Sequence, residues 1–442
     1  MAPEDEMCRI ETKRGRSMMR ERVGSNPVSG PLTFGESVNG SARRAWLARR
    51  ALLLLGARSR GGRLVVDEPG ATAQVGRGEL VARVSIHDQR AYVALLSDGS
   101  VGLGGGYLEG WWDSDELVTL VRILIRAQGR LGRWHDEIGT IASRITDPWR
   151  RIRRRAPRAD RRFVQAHYDI GNELFELMLD ESMSYSCAVF ADPGQSLHEA
   201  SLTKFDRLCN KLRLESTDHL LEIGTGWGGF AVYAATRYGC RVTTTTISTE
   251  QFEYVRRRVA DLGLSDRITV LNEDYRDLSG TFDKIASIEM IEAVDWRQVP
   301  GYFAQCSRLL SPHGLMVLQA ITINEQSYDR AKNATDFIKA FIFPGGSLPS
   351  VGSITRASAR AGLSVVDLED IGRHYAETLR HWRQRFDEHR DELEALGYDE
   401  RFRRMWTFYL AYCEAAFLER HVSNVQVVFA KREWRMGLWV RP

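Results

Sequence analysis

The stretch Leu220-Leu-Glu-Ile-Gly-Thr-Gly-Trp-Gly-Gly229 decides the reading of this chain. An apolar run with one embedded acid, Glu222, breaks into a turn that carries Gly224, Gly226 and Gly228. Glycine lets backbone pass close to a ligand, and a helix expected to begin near Gly229 offers free N–H groups and the positive end of a dipole. Such a turn holds a dinucleotide or S-adenosylmethionine, or it is a tight strand-to-helix connection with no ligand at all. The place of the acid separates the first two. A dinucleotide site wants its carboxylate roughly 20 residues later, at the end of the second strand. Here that strand is Arg241-Val-Thr-Thr-Thr-Thr-Ile-Ser248, without an acid, whereas Glu222 precedes the first glycine. A carboxylate there can take the ammonium of a methionine moiety, so the turn points to an adenosyl cofactor.

Outward from this turn, strands and helices alternate. Strands are expected at Leu220–Gly224, Arg241–Ser248, Ile268–Asp274, Asp283–Ile291, Gly314–Thr322, Ser364–Ile371 and Val425–Lys431. That order implies an open, doubly wound α/β sheet with its ligand at the carboxyl ends of the strands. Long helical insertions rich in Phe, Tyr and Trp, between Thr322 and Ser364 and between Tyr375 and His421, would cover that edge. The unit spans residues 166–432, with a short tail over 433–442.

Residues 1–40 mix charge, Gly, Pro and Ser without apolar periodicity and read as a disordered tail. Residues 41–130 read as a small α+β domain. Its first helix, Ser41 to Leu55, alternates Arg43, Arg44, Arg49 and Arg50 with Trp46, Leu47 and a leucine run. Such a helix rests on anionic lipid, or packs on its own domain with its arginines in solvent. Strands are expected at Arg63–Asp67, Leu80–Ile86 and Ala91–Leu96, then a helix from about Ser114 to Ala127. Residues 131–165 form a basic linker in which eight arginines crowd around Pro157. It is a solvated connector or an attractor of phosphate head groups, at about 1 kcal/mol per residue near an anionic surface.

The chain has 442 residues, 43% hydrophobic and 27% charged, which fits two folded units plus tails. A formal net charge of +3 gives no global field that argues for nucleic acid. Six scattered cysteines form no C-x-x-C pair or zinc-type spacing, so no metal is expected and a reducing cytoplasm fits. The acidic start lacks secretory order, and no apolar run approaches the roughly 18 to 20 residues that span a bilayer. A protein that works on lipid would then be peripheral, at the inner face of the cell membrane.

Several further segments resemble the cyclopropane-fatty-acyl-phospholipid synthase family, which includes the mycolic acid cyclopropane synthases. They are Val101-Gly-Leu-Gly-Gly-Gly-Tyr-Leu-Glu-Gly-Trp-Trp-Asp113, His167-Tyr-Asp-Ile-Gly-Asn172, Tyr185-Ser-Cys187, Phe343-Pro-Gly-Gly346 and His374-Tyr-Ala-Glu-Thr-Leu379, together with the glycine turn. The resemblance implies a class I S-adenosylmethionine methyltransferase (Rossmann-like) fold with helical lipid-binding insertions. It implies S-adenosylmethionine as donor and a cis double bond of a phospholipid acyl chain as acceptor, with the first domain docking to membranes. An alkene is a weak nucleophile, so transfer demands alignment and exclusion of water. Attack leaves a carbocation, which aromatic faces stabilise; candidates are Tyr185, Phe337, Phe341, Phe343, Tyr375 and Trp382. For the cofactor the resemblance carries Tyr185, Ser186, Glu222, Gly224, Gly226, Thr246, Ile247, Gln251, Tyr275 and Arg276.

A proton must then leave for the ring to close, and the family implies a bound bicarbonate as base, held by a cysteine, a glutamate, a histidine and a tyrosine. By motif these are Cys187, Glu292 in Glu289-Met-Ile-Glu-Ala293, and Tyr375. The histidine is replaced by Gln319, in Leu318-Gln-Ala-Ile321, and a second histidine by Ala293. Gln319 can donate to an anion but cannot titrate. This variant resembles a branch with plant-type synthases and actinobacterial fatty-acid methyltransferases, some of which leave a 10-methylene group instead of a cyclopropane. A small-molecule N- or C-methyltransferase and a non-catalytic lipid carrier are the competing readings, and a homodimer is a further expectation.

Overall fold

The computed structural model describes residues 38–127 and 171–435. The tail before residue 38, the basic linker, His167 to Ile170 and the last seven residues lie outside them.

Helix α1 (Val38–Ala57) leads into β1 (Gly62–Glu68), which turns at Pro69-Gly70 onto antiparallel β2 (Ala71–Arg77) and lies parallel to β3 (Val81–Ile86). β2 escapes a sequence reading because none of its residues is fully buried and it is held by its pairing with β1. The strand expected at Ala91–Leu96 is instead helix α2 (Arg90–Asp98). Val93 is its only β-branched residue, the Asp88 carboxylate accepts the Arg90 N–H at 2.8 Å ahead of it, and Gly99 at φ +56° ends it. Helix propensity and termination therefore outweigh a short apolar run. Helix α3 (Ser100–Leu108) carries the glycine-rich motif, and short β4 (Trp112–Asp113) closes the sheet in the order β2-β1-β3-β4. The glycines serve packing, since a Cβ on Gly104 would overlap the Phe337 ring. Helix α4 occupies residues 117–127.

After α5 (Asn172–Met178) and α6 (Leu197–Leu212), the larger sheet begins with β5 (His219–Ile223). α7 (Gly229–Tyr238), β6 (Arg241–Thr245), α8 (Thr249–Asp261), β7 (Ile268–Leu271), β8 (Phe282–Ile288), α9 (Val299–Leu309) and β9 (Leu310–Ile323) follow in alternation. The first insertion holds α10 (Glu325–Ala331), a π-helical turn (Ile338–Ile342) and α11 (Val351–Arg360), before β10 (Ser364–Asp370). The second holds α12 (Gly372–Glu388), α13 (Arg390–Ala395) and α14 (Glu400–Leu418), before β11 (Val422–Ala430). The seven strands run β10-β11-β9-β8-β5-β6-β7, parallel from β9 to β7 and antiparallel at β10, β11 and β9. Each of the seven strands expected for this sheet is present, most of them a residue or more different in length.

The insertions and the first module share one apolar cluster that includes Tyr107, Trp112, Phe337, Trp382, Trp406 and Phe408. Polar contacts tie them as well. Arg404 on α14 donates to the Tyr107 carbonyl (2.6 Å) and Asp113 (2.7 Å), and Arg122 and Arg126 on α4 each meet Glu419 at 2.7 Å. The aromatic insertions thus form a roof over the carboxyl ends of β5, β8 and β9.

Candidate active site

β5 delivers Glu222 into a turn where Gly224, Gly226 and Gly228 have φ of +98°, +52° and +83°, and α7 begins at Gly229. Side chains are strained in that region, so glycine is required here. No atom lies within 4 Å of where a Cβ on Gly226 would stand, which leaves its backbone face open to the cleft. The cleft is lined by Glu222, the glycine turn, Tyr185, Ser186, Thr246, Ile247, Gln251, Tyr275 and Arg276, the full cofactor set expected from the sequence. Glu222 is buried and accepts from the Thr244 hydroxyl at 2.6 Å; burial pushes its carboxyl up to about 8. Gln251 Oε1 accepts from Thr246 at 2.9 Å, while its Nε2 is buried with no partner among the described residues. That orphaned donor asks for an acceptor such as a ribose hydroxyl. Arg276 is held by Asp274 at 2.9 and 2.6 Å. These residues fit S-adenosylmethionine: an acid for its ammonium, bare backbone for its chain and donors for its sugar.

Beside the cleft the residues expected to hold an anion converge on a carboxylate of the chain itself. Glu289, the first residue after β8, has φ +51° and lines the cleft. Its Oε1 accepts the Cys187 N–H (2.9 Å), Gln319 Nε2 (2.8 Å) and Asn424 Nδ2 (2.7 Å), and its Oε2 accepts the Tyr375 hydroxyl (2.6 Å). Gln319 is oriented in turn by Gln426 Nε2 at 3.0 Å, its register partner on β11. Cys187 contributes its backbone, because its buried thiol points to the Ala188 carbonyl (3.2 Å) and burial holds it well above the ordinary thiol range. Burial also pushes the Tyr375 phenol far up, so it is a donor.

Glu292, expected among the anion ligands, is placed otherwise. Its Oε1 accepts the Ile321 N–H at 2.6 Å, and its Oε2 is buried with no partner among the described residues. Burial, then the Glu289 charge, raises its carboxyl above the usual range. The Glu289 charge nearby thus disfavours the ionised form of Glu292, which holds its proton more tightly than an ordinary carboxyl. Glu289, Asn424, Gln426 and Tyr409 are absent from the sequence-derived set. Glu289 had a readable signal, an acid at the carboxyl end of a parallel strand; the β11 amides had none.

The aromatic candidates divide. Tyr185, Trp382 and Tyr375 form one group, with Tyr185 and Trp382 centroids 5.1 Å apart and Tyr375 and Trp382 5.9 Å apart. Tyr409 bonds the Tyr185 hydroxyl at 2.8 Å and brings Phe343 alongside at 6.1 Å. Phe337 and Phe341 stack on each other at 5.1 Å but belong to the contact with Phe408 and α3.

Comparisons with known proteins agree with this fold. Residues 155–427 match the model of the mycolic acid cyclopropane synthetase family. The chain is 40% identical over 337 residues to tuberculostearic acid methyltransferase UfaA1 of Mycobacterium tuberculosis, covering 74% of this chain and 78% of that protein. It is 36% identical over 357 residues to the cyclopropane-fatty-acyl-phospholipid synthase of Escherichia coli K12, covering 80% and 89%. Among solved structures, mycolic acid cyclopropane synthase CmaA1 complexed with SAH and CTAB aligns with TM-score 0.58 and 29% identity, over 61% of this chain and 98% of that one.

Proposed function

Because the chain belongs to the mycolic acid cyclopropane synthetase family, we propose that it methylates the cis double bond of a phospholipid-bound unsaturated acyl chain, with Glu289 as the base. It is an S-adenosylmethionine-dependent C-methyltransferase of class I fold that modifies lipid acyl chains. The observation that carries the finer reading is one carboxylate, gripped by four donors, that lines the cofactor cleft and bonds Tyr375, whose ring packs on Trp382.

Bound S-adenosylmethionine supplies an electrophilic methyl carbon on a sulfonium. The alkene π pair bonds to that carbon as its S–C bond breaks, which leaves a cation on the neighbouring alkene carbon. The roof excludes water that would capture this cation, and the Tyr185, Tyr375 and Trp382 faces stabilise it. Glu289 then accepts a proton. If it comes from the new methyl group, the freed C–H pair closes a cyclopropane. The bicarbonate suggested by family resemblance does not fit this donor set, since Cys187 N–H, Gln319 and Tyr375 are already engaged by Glu289.

A second product has its own support. The relative at 40% identity is named a tuberculostearic acid methyltransferase. A hydride shift before proton loss would leave an exocyclic 10-methylene group from the same cation. Labelled S-adenosylmethionine with oleoyl phospholipid vesicles tests the whole reading: label should enter lipid, and mass spectrometry should show ring or methylene. Label appearing in soluble amines alone would refute it.

Membrane docking of the first module is part of the proposal. No helix of the described residues is long and apolar enough to cross a bilayer. On α1, however, Trp46, Leu47 and Leu54 are 50, 52 and 60% exposed, beside exposed Arg43, Arg44 and Arg50, with Arg50 5.4 Å from the Trp46 ring. A mixed aromatic and cationic surface suits the anionic inner face of the cell membrane.

A further inference from the structure

Lys204 interrupts the buried stripe of α6, where Leu197, Ala200, Ser201, Phe205 and Leu208 face inward. Its side chain is fully buried. Nζ donates to the hydroxyls of Ser184 and Ser186, the latter at 2.8 Å, and lies 4.5 Å from the Phe205 ring. Among the described residues no carboxylate stands within ion-pairing distance of it. An ammonium buried without a counter-charge costs several kcal/mol, and structures keep such a group only where something offsets it. Burial pulls its pKa down to about 8, against the more distant pull of Glu289, Asp180 and Glu222.

The two hydroxyls it holds belong to the wall of the cofactor cleft. Ser184 and Ser186 line that cleft with Glu222 and the glycine turn, their hydroxyls 3.1 Å apart. A lysine only donates, so both serines must accept from it, and at least one serine proton is left to point into the cleft. Of the groups on S-adenosylmethionine, the sulfonium and ammonium are cationic and the adenosine is neutral; the carboxylate alone is an anion. Glu222 already answers the ammonium one carbon away.

We propose that Lys204 is the counter-charge for the carboxylate of the cofactor's methionine moiety, a positioning residue that acts through Ser184 and Ser186. The inference rests on S-adenosylmethionine as the ligand. Glu222 and Lys204 then form a two-signed clamp on the amino-acid end, which fixes the sulfur and so the direction of the methyl group.

The test is Lys204→Met in the full chain, titrated calorimetrically with S-adenosylhomocysteine and with 5′-methylthioadenosine, which lacks the amino-acid end. S-adenosylhomocysteine should bind about 10- to 100-fold more weakly, the range for losing one charge-assisted contact, and methylthioadenosine within about twofold of wild type. Equal weakening of both ligands, or undiminished S-adenosylhomocysteine binding, overturns the proposal. If Lys204→Met does not fold, the double variant Ser184→Ala/Ser186→Ala should show the same contrast, and a lack of contrast there overturns it. Wild-type protein that bound neither ligand would bring down the cofactor reading instead.

Discussion

Glu289→Gln separates the proposed base from its neighbour. Three N–H donors meet Oε1, so the glutamine must keep its carbonyl there and place its NH2 toward Tyr375, whose hydroxyl can turn and accept. The fold should therefore survive. Replacing a charged acceptor by a neutral one weakens each bond by about 1 kcal/mol, partly offset because a buried charge is no longer desolvated. A net loss of about 1 to 2 kcal/mol in chemical denaturation is expected. Turnover should fall much further, since a general base contributes about 10²- to 10⁴-fold. Transfer of labelled methyl to oleoyl phosphatidylglycerol vesicles measures it, with S-adenosylhomocysteine affinity as the control for binding. Glu292→Gln should cost less than about tenfold, because that carboxyl holds only the Ile321 N–H and is largely protonated at neutral pH. Glu289→Gln activity within about threefold of wild type, or an equal collapse in Glu292→Gln, would refute the assignment.

Tyr375→Phe removes one bond to Glu289 and should lower turnover about 10- to 100-fold and stability by about 1 kcal/mol, read by the same transfer assay and by denaturant titration. Glu222 links the cleft to pH. Its folded pKa of about 8 lies above its ordinary 4.5, so the native state holds a proton that the unfolded chain has released, and stability should fall as pH rises between those values. Glu222→Gln should flatten that slope in thermal melts. The cofactor's ammonium should expel most of this proton from wild type at pH 7, visible as buffer-dependent binding heat, and none from the variant. Reversing Arg43, Arg44 and Arg50 to Glu should abolish sedimentation with anionic vesicles, at about 1 kcal/mol per lost cation, while leaving S-adenosylhomocysteine affinity unchanged; undiminished sedimentation would move the docking surface elsewhere.

The sequence by itself determined whatever depends on neighbours along the chain. The β5 run, the positive-φ glycines, the start of α7 and the alternation of strand and helix are local patterns, because apolar periodicity and backbone freedom act over a few residues. Local pattern also misled at Ala91–Leu96, where an apolar run is shared by strand and helix and the structure chose α2. Tertiary structure alone decided the catalytic arrangement. Glu289 takes its donors from Cys187, Gln319, Tyr375 and Asn424, which arrive from the loop between α5 and α6, from strands β9 and β11 and from helix α12 of the roof. Lys204 reads in sequence as an ordinary helical lysine, and Gln319 and Asn424 as polar residues in strands. Hydrogen bonds need atoms within about 3 Å in a fixed direction, and only the folded packing of distant segments supplies that. The chain's letters thus pointed to the cofactor, while the fold decided which of two glutamates three residues apart is gripped by four donors.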